Sequence, residues 1–307
     1  MFVTLFGALV RITGSGAGCG QHWPTCQGEI AHVPRSLETL IEFTHRITSG
    51  LLGLAILGLL VAAFRRFERG HPARIWLVLA NVFLVIEALV GRALVRENLV
   101  AGDTSLSRAV VMPLHLVNTS LLLATLTVAT FLCFPRPPGS AERNARGVKL
   151  VVIVLAGVLG VSASGALTAL GDTLYPVRQN LAQIAAEPGV SQHFLERLRA
   201  LHPLVAVAVV LVALRLLPRA AESGSLAAQR LGRLSVWLLV SQSLHGAANV
   251  LLSAPGWMQL VHLTLACSLW MALVLLAAEL WSPRLPARLK QDISEGRSGS
   301  PLPRAPA

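Results

Sequence analysis

Residues 42–64 read EFTHRITSGLLGLAILGLLVAAF: Glu42-Phe43-Thr44-His45-Arg46 opens an apolar stretch that ends at Phe64. About 20 residues suffice to cross roughly 30 Å of hydrocarbon as an α-helix. Six further runs of this kind lie at about 75–95, 110–134, 148–170, 200–217, 231–252 and 257–281. Met1 to Val10 has the same character but is too short, and is read as a truncated first helix. It lacks the basic n-region of a cleaved signal peptide. In lipid each backbone polar group must be satisfied within its own segment, so runs this apolar are helices. The expected fold is an all-α polytopic membrane protein with eight transmembrane helices.

The composition agrees. Of 307 residues, 54% are hydrophobic and 13% charged, whereas a soluble domain carries about 25% charge. A long disordered chain is excluded as well, because it would be poor in apolar residues.

A net charge of +11 by itself suggests nucleic acid or an anionic surface. Its distribution gives another meaning. Phe64 to Arg74, Pro135 to Lys149, Arg215 to Arg233 and the tail from Trp281 hold 17 of the 26 basic residues. Counting Glu279, they hold 6 of the 15 acids, so the rest of the chain is neutral. The positive-inside rule puts these segments, and both termini, in the cytoplasm. The loops near 11–41, 96–109, 171–199 and 253–256 are then outside. No basic stripe with interleaved aromatics points to nucleic acid.

Cys19 and Cys26 fall in the first outer loop, where Gly and Pro can bend the chain. Outside the cytoplasm such a pair reads as a disulfide. The alternatives are free thiols, or a zinc site using His22, for which a four-ligand set is not evident. Cys133 and Cys267 read as small apolar residues within helices.

Four landmarks recur in order. Gly7-Ala8-Leu9 matches Gly165-Ala166-Leu167, and His45 matches His202. Glu87 to Gly91 echoes Gln242 to Gly246, and His115-Leu116 matches His262-Leu263. The pattern reads as two tandem four-helix bundles in parallel orientation. Intramembrane ionisable residues are costly and default to functional candidates. His45, His115, His202 and His262 lie on even-numbered helices at one depth, a few residues below the outer surface. Two histidines facing each other suit bis-axial ligation of a haem iron, which pairs His45 with His115 and His202 with His262. A single such histidine would read as a hydrogen bond to a neighbouring helix; four at equivalent depths do not. His245 aligns with Val90 and keeps that plainer reading.

The halves differ. Glu42 precedes His45 by three residues, on one helix face, where the second half has Arg199 before His202. A carboxylate beside an iron can act as a base or stabilise developing positive charge. Equally, Glu42 can be a helix-start acid favoured by the dipole. An arginine suits a haem propionate. The asymmetry suggests a reactive haem in the first half and a resident haem in the second.

The sequence resembles the haem A synthase family. The resemblance rests on Gly7 to Arg11 through Gly14-Ser15-Gly16, on Cys19 with Trp23-Pro24-Thr25-Cys26, and on Glu42-Phe43-Thr44-His45-Arg46. It continues through His115 to Thr119, Gly165 to Thr168, Gly171-Asp172-Thr173, Leu201-His202-Pro203 and Val261-His262-Leu263. The family implies an oxidoreductase that converts a porphyrin methyl group of haem O to the formyl group of haem A, usually drawn as two hydroxylations and loss of water. By resemblance His45 and His115 flank substrate haem O, His202 and His262 ligate a haem b cofactor, Glu42 is catalytic, and Cys19–Cys26 is the outer-loop disulfide. A haem O synthase and the terminal oxidase are partners implied in the same way. A homo-oligomer stays open.

The expected organisation is a substrate half, 1–134; a cytoplasmic linker, 135–147; a haem b half, 148–281; and a disordered cytoplasmic tail, 282–307. The chain departs from the family in two places. Pro176 to Arg199 lacks the second cysteine pair of many relatives, and Glu87 stands where glutamine is common. Ser191 reads as the cap of a short helix through Arg199, over the second haem. A membrane bis-haem electron carrier would use the same four histidines but has no need of Glu42. A haem or quinone transporter would show broken midplane helices, and none is evident.

Overall fold

The structure, a computed structural model, describes residues 1–134, 144–175, 194, 201–222 and 225–281. Eight α-helices run through them: α1 Phe2–Ile12, α2 Leu37–Arg66, α3 Pro72–Arg96, α4 Leu106–Cys133, α5 Ala145–Leu174, α6 Leu201–Glu222, α7 Leu226–Leu251 and α8 Gly256–Trp281. A 3-10 turn, Ser15–Ala17, lies between α1 and α2. Six of the described helices are long and apolar enough to cross a membrane.

The termini obey local chemistry. The Ser36 hydroxyl caps α2 by accepting the Thr39 N–H at 3.2 Å, Ser105 does the same for Arg108 in α4, and Ser225 for Ala228 in α7. Such caps satisfy donors that have no partner within the helix. Pro72 occupies the first turn of α3, where its missing N–H costs nothing. Between α2 and α3 the chain reverses at Gly70, whose φ of +92° suits a residue without Cβ.

Two boundaries differ from the sequence reading. The Asn144 side chain accepts the Gly147 N–H at 2.8 Å, so α5 begins at Ala145 and takes in the end of the expected linker. The run at 231–252 forms a helix of sufficient length, α7, but it is not among the six most apolar ones. Gln229, Arg230, Arg233, Gln242, His245 and Asn249 account for that. Residues 135–143 of the expected linker, the tail from 282, and, apart from Phe194, the helix expected from Ser191 to Arg199 lie outside the described residues.

Helices consecutive in the chain pack together within α1–α4 and within α5–α8, and α8 returns to α5. Across these groups α4 meets α5, α8 meets α1, and α4 meets α8. The largest core cluster lies among α4 to α8 around Val151, Val154, Leu217, Leu273 and Leu276, each almost fully buried. Two smaller clusters, around Ile56 and around Ala63, join α2, α3 and α4. Close approach rests on small residues: a Cβ on Gly232 of α7 would fall 2.6 Å from Ala221 Cβ in α6. In lipid, packing of this kind and interhelical hydrogen bonds hold helices together, because apolar burial alone gives no drive. Outward faces are apolar, with Leu54, Leu204 and Trp237 about 70% exposed, as lipid-facing side chains are. The protein is an all-α, multi-pass membrane protein.

α1 packs on α2 and α8, and one of its side chains adds a polar anchor. Arg11 donates from Nη1 to the Ala169 carbonyl at 2.7 Å and Thr173 Oγ1 at 2.6 Å, and from Nη2 to Gln259 Oε1 at 2.7 Å. One guanidinium therefore ties α1 to α5 and α8. Trp270 of α8 adds a second tie, donating from its indole N–H to the Ser120 carbonyl of α4 at 2.7 Å.

Candidate functional site

His45, His115 and His262 sit within the first three turns of α2, α4 and α8, and His202 lies on α6, whose described residues begin at Leu201. Alternating helix direction brings these N-terminal ends to one end of the bundle. His45 and His115 are within electrostatic reach of each other, and so are His202 and His262. His262 is equally within electrostatic reach of His245, whose ring stacks on it with centroids 5.9 Å apart.

His45 and His202 are bordered in a repeated way by the helix before each, whereas a Cβ on Gly91, aligned with Gly246, would meet no neighbour within 4 Å. Phe6 of α1 stacks on His45 with ring centroids 6.2 Å apart and planes 5° apart, and a Cβ on Gly7 would lie 3.1 Å from His45 Cε1. In α5, Ser164 Oγ lies 3.1 Å from His202 Nδ1, and a Cβ on Gly165 would lie 3.0 Å from His202 Cε1. Gly246 cradles His262 at the same 3.0 Å. Any larger residue would push the imidazoles away.

Nδ1 of His45, His115 and His262 is buried without a hydrogen-bond partner, although buried polar atoms are normally satisfied. Among the described residues no three or more of His, Cys, Asp and Glu cluster to hold a bare metal ion. Pairs of imidazoles suit an iron whose equatorial positions are filled by a porphyrin. The donor set, the orphaned nitrogens and the glycine cradles all fit such a group.

The two pairs differ in their surroundings. Around His115, Glu87 of α3 places Oε1 3.4 Å from Nδ1, ion-pair distance but longer than a well-formed hydrogen bond. Glu87 Oε2 accepts from Asn118 Nδ2 at 2.6 Å, and Oε1 accepts from the Thr119 hydroxyl. In the second half the aligned residue, Gln242, brings its amide nitrogen 3.1 Å from His262 Nε2. His245 has its Nε2 3.0 Å from the Met258 carbonyl in α8, the hydrogen bond between helices expected of it.

Glu42 is 3% exposed. The Cys19 N–H donates to its Oε2 at 2.8 Å, and Arg46 pairs with Oε1. Arg46 also donates to the carbonyls of His22 and Thr25, at 2.6 and 2.5 Å. Cys19 and Cys26 form a disulfide, and the loop it closes rests on the start of α2, where the Thr39 hydroxyl donates to the Gly18 carbonyl at 2.8 Å. Sequence spacing puts Glu42 beside His45; its carboxylate is drawn to the loop. Arg46, one turn further on the same face, was the available signal for that pairing. No local signal pointed to Arg11 as the tie between α1 and α5. Arg199, aligned with Glu42, lies outside the described residues.

Comparison with known proteins decides the family. The model named COX15-CtaA, cytochrome oxidase assembly protein, matches residues 35–274. The chain belongs to the COX15-CtaA family. A protein of Thermus thermophilus named protoheme IX farnesyltransferase is 46% identical over 286 residues, covering 90% of this chain and 46% of that protein. A heme A synthase of Halalkalibacterium halodurans is 34% identical over 157 residues, half of each chain. A heme A synthase of Bacillus licheniformis is 38% identical over 129 residues, 42% of this chain and 41% of the relative. The chain thus spans about half the length, or less, of the curated relatives it matches. Within the COX15-CtaA match lie all four histidines and Glu42; Cys19 and Cys26 precede it.

Proposed function

We propose that this chain is a haem A synthase, an oxidoreductase that converts a porphyrin methyl group of haem O to a formyl group. The observation that supports the reading is that His45, His115, His202 and His262 are carried one each on α2, α4, α6 and α8, in a chain of the COX15-CtaA family. Two relatives named heme A synthase support the chemistry.

In this reading residues 1–134 form the substrate half, with His45 and His115 holding haem O. Residues 148–281 form the second half, with His202 and His262 holding haem b, which supplies one-electron chemistry when bound. Gly7 and Gly165 leave room for the imidazoles, and Phe6 fixes the plane of His45. Glu42 is the catalytic carboxylate, and Arg46 and the Cys19 N–H hold it in one orientation, so little reorganisation is needed as charge develops. The apolar helices around the pairs exclude water, which strengthens these interactions.

The arginine-rich connections place both termini in the cytoplasm and the histidine pairs near the outer face of the cell membrane. A haem O synthase is a natural supplier: the Thermus relative has more than half its length beyond the matched region and is named for protohaem farnesylation, the reaction that gives haem O its tail. The terminal oxidase is the consumer of haem A.

The test is chromatography of haems extracted from membranes that make haem O but lack haem A. Introducing this chain should produce haem A under oxygen. Haem b alone would overturn the reading in favour of an electron carrier.

A further inference from the structure

We infer that Glu87 is a positioning residue for the first iron site, orienting His115 and making it a stronger donor than its counterpart in the second half. The inference rests on the reading above in which His115 is an iron ligand.

Glu87 lies on α3, in a helix long and apolar enough to span the membrane, where a carboxylate is expensive to hold without a function. It is held by two neighbours on α4 and faces a third. Asn118 Nδ2 donates to Oε2 at 2.6 Å and also to the Phe83 carbonyl at 2.9 Å, which fixes the amide between the helices. The Thr119 hydroxyl donates to Oε1 and lies 2.9 Å from the His115 carbonyl. The third neighbour is His115 itself, with Nδ1 3.4 Å from Oε1 and no other partner. Glu87 is also within electrostatic reach of His45. Asn118 and Thr119 are a turn beyond His115 on α4, so the helix that carries the ligand also anchors the acid that faces it.

A carboxylate facing Nδ1 favours the tautomer protonated there, which leaves the Nε2 lone pair for a metal. A second-shell acceptor of this type fixes the tautomer and ring orientation and raises ligand basicity. The second half has Gln242 at the aligned position, where its neutral amide meets His262 at Nε2 and leaves Nδ1 without an acceptor. Residues in the first half would therefore give a bound iron the stronger donor, which would favour its ferric state there.

The experiment uses the full chain carrying haem O and haem b, with anaerobic redox titration followed by optical and paramagnetic resonance spectra. His115→Ala and His262→Ala assign the two low-spin signals by their loss. Glu87→Gln should shift the Fe(III)/Fe(II) equilibrium of the first site about tenfold toward Fe(II), equal to about 59 mV for one electron, and leave the second site in place. Glu87→Asp, whose shorter side chain withdraws the carboxylate from Nδ1, should move the first site the same way by a smaller factor, and it serves equally if Glu87→Gln does not fold. An unmoved first-site signal in Glu87→Gln, or in Glu87→Asp, overturns the inference. Survival of both signals in His115→Ala overturns the ligand assignment itself, and Glu87's role with it.

Discussion

The backbone N–H of Cys19 donates to Oε2 of Glu42 at 2.8 Å, across 23 residues of sequence. A disulfide-closed loop and the carboxylate three residues before the first histidine are thus one unit, with Arg46 bridging Glu42 to the carbonyls of His22 and Thr25. The loop holds the acid in place.

If that unit matters, Arg46 should be sensitive in a specific way. Arg46→Lys keeps a charge but loses the fork that reaches carboxylate and loop together. We expect Arg46→Lys to lower haem A yield about tenfold or more and Arg46→Ala further, with haem b content unchanged in both. Equal loss of haem b would show that Arg46 serves general folding instead.

Opening the loop should act through the same link. Cys19→Ser with Cys26→Ser removes a constraint on the chain and loosens the N–H that faces Glu42. The double variant should retain the His202/His262 haem spectrum while haem A yield falls. Full haem A yield would mean that hydrogen bonds alone, such as Thr39 to the Gly18 carbonyl, suffice to seat the loop.

The glycine cradles give a paired prediction. Gly7→Val should displace His45 and reduce occupancy of the substrate site, because even one Cβ would sit 3.1 Å from Cε1. Gly165→Val should displace His202 and deplete haem b in the same manner. Difference spectra and haem extraction on the two variants separate the sites. Loss of the same haem from both would contradict the assignment of the pairs.

Arg11 tests the anchoring of the short first helix. Hydrogen bonds to charged groups contribute about 1.5–3 kcal/mol each, and Arg11 makes three. Arg11→Ala should lower stability by about 3 kcal/mol or more, seen as a reduced unfolding temperature in detergent. Arg11→Lys should recover part of it.

Much of this was legible in the sequence, for physical reasons. Apolar runs near 20 residues mark the helices, and Ser36, Ser105 and Ser225 sit where caps are needed. His45, His115, His202 and His262 stand out because ionisable groups are rare in such runs. The engagement of Glu42 was only half legible: Arg46 lies one turn away on the same face, but Cys19 comes from a loop whose course no local pattern dictates. Arg11 was not legible at all, since its partners Ala169, Thr173 and Gln259 are 158 to 248 residues away. Glu87 stood out as a buried acid, but its role needed the register of α3 against α4. α7 shows the limit of counting apolar residues, because a helix whose inner face carries Gln242 and His245 needs partners as well as lipid.

The most direct measurement compares haems extracted from membranes carrying this chain and its Glu42→Ala variant, given a haem O source and oxygen. The account predicts haem A with the intact chain, and haem O with no haem A for the variant, while haem b stays bound in both. Haem A at undiminished yield in Glu42→Ala would contradict the role given to the carboxylate, and its absence from both would contradict the proposed reaction.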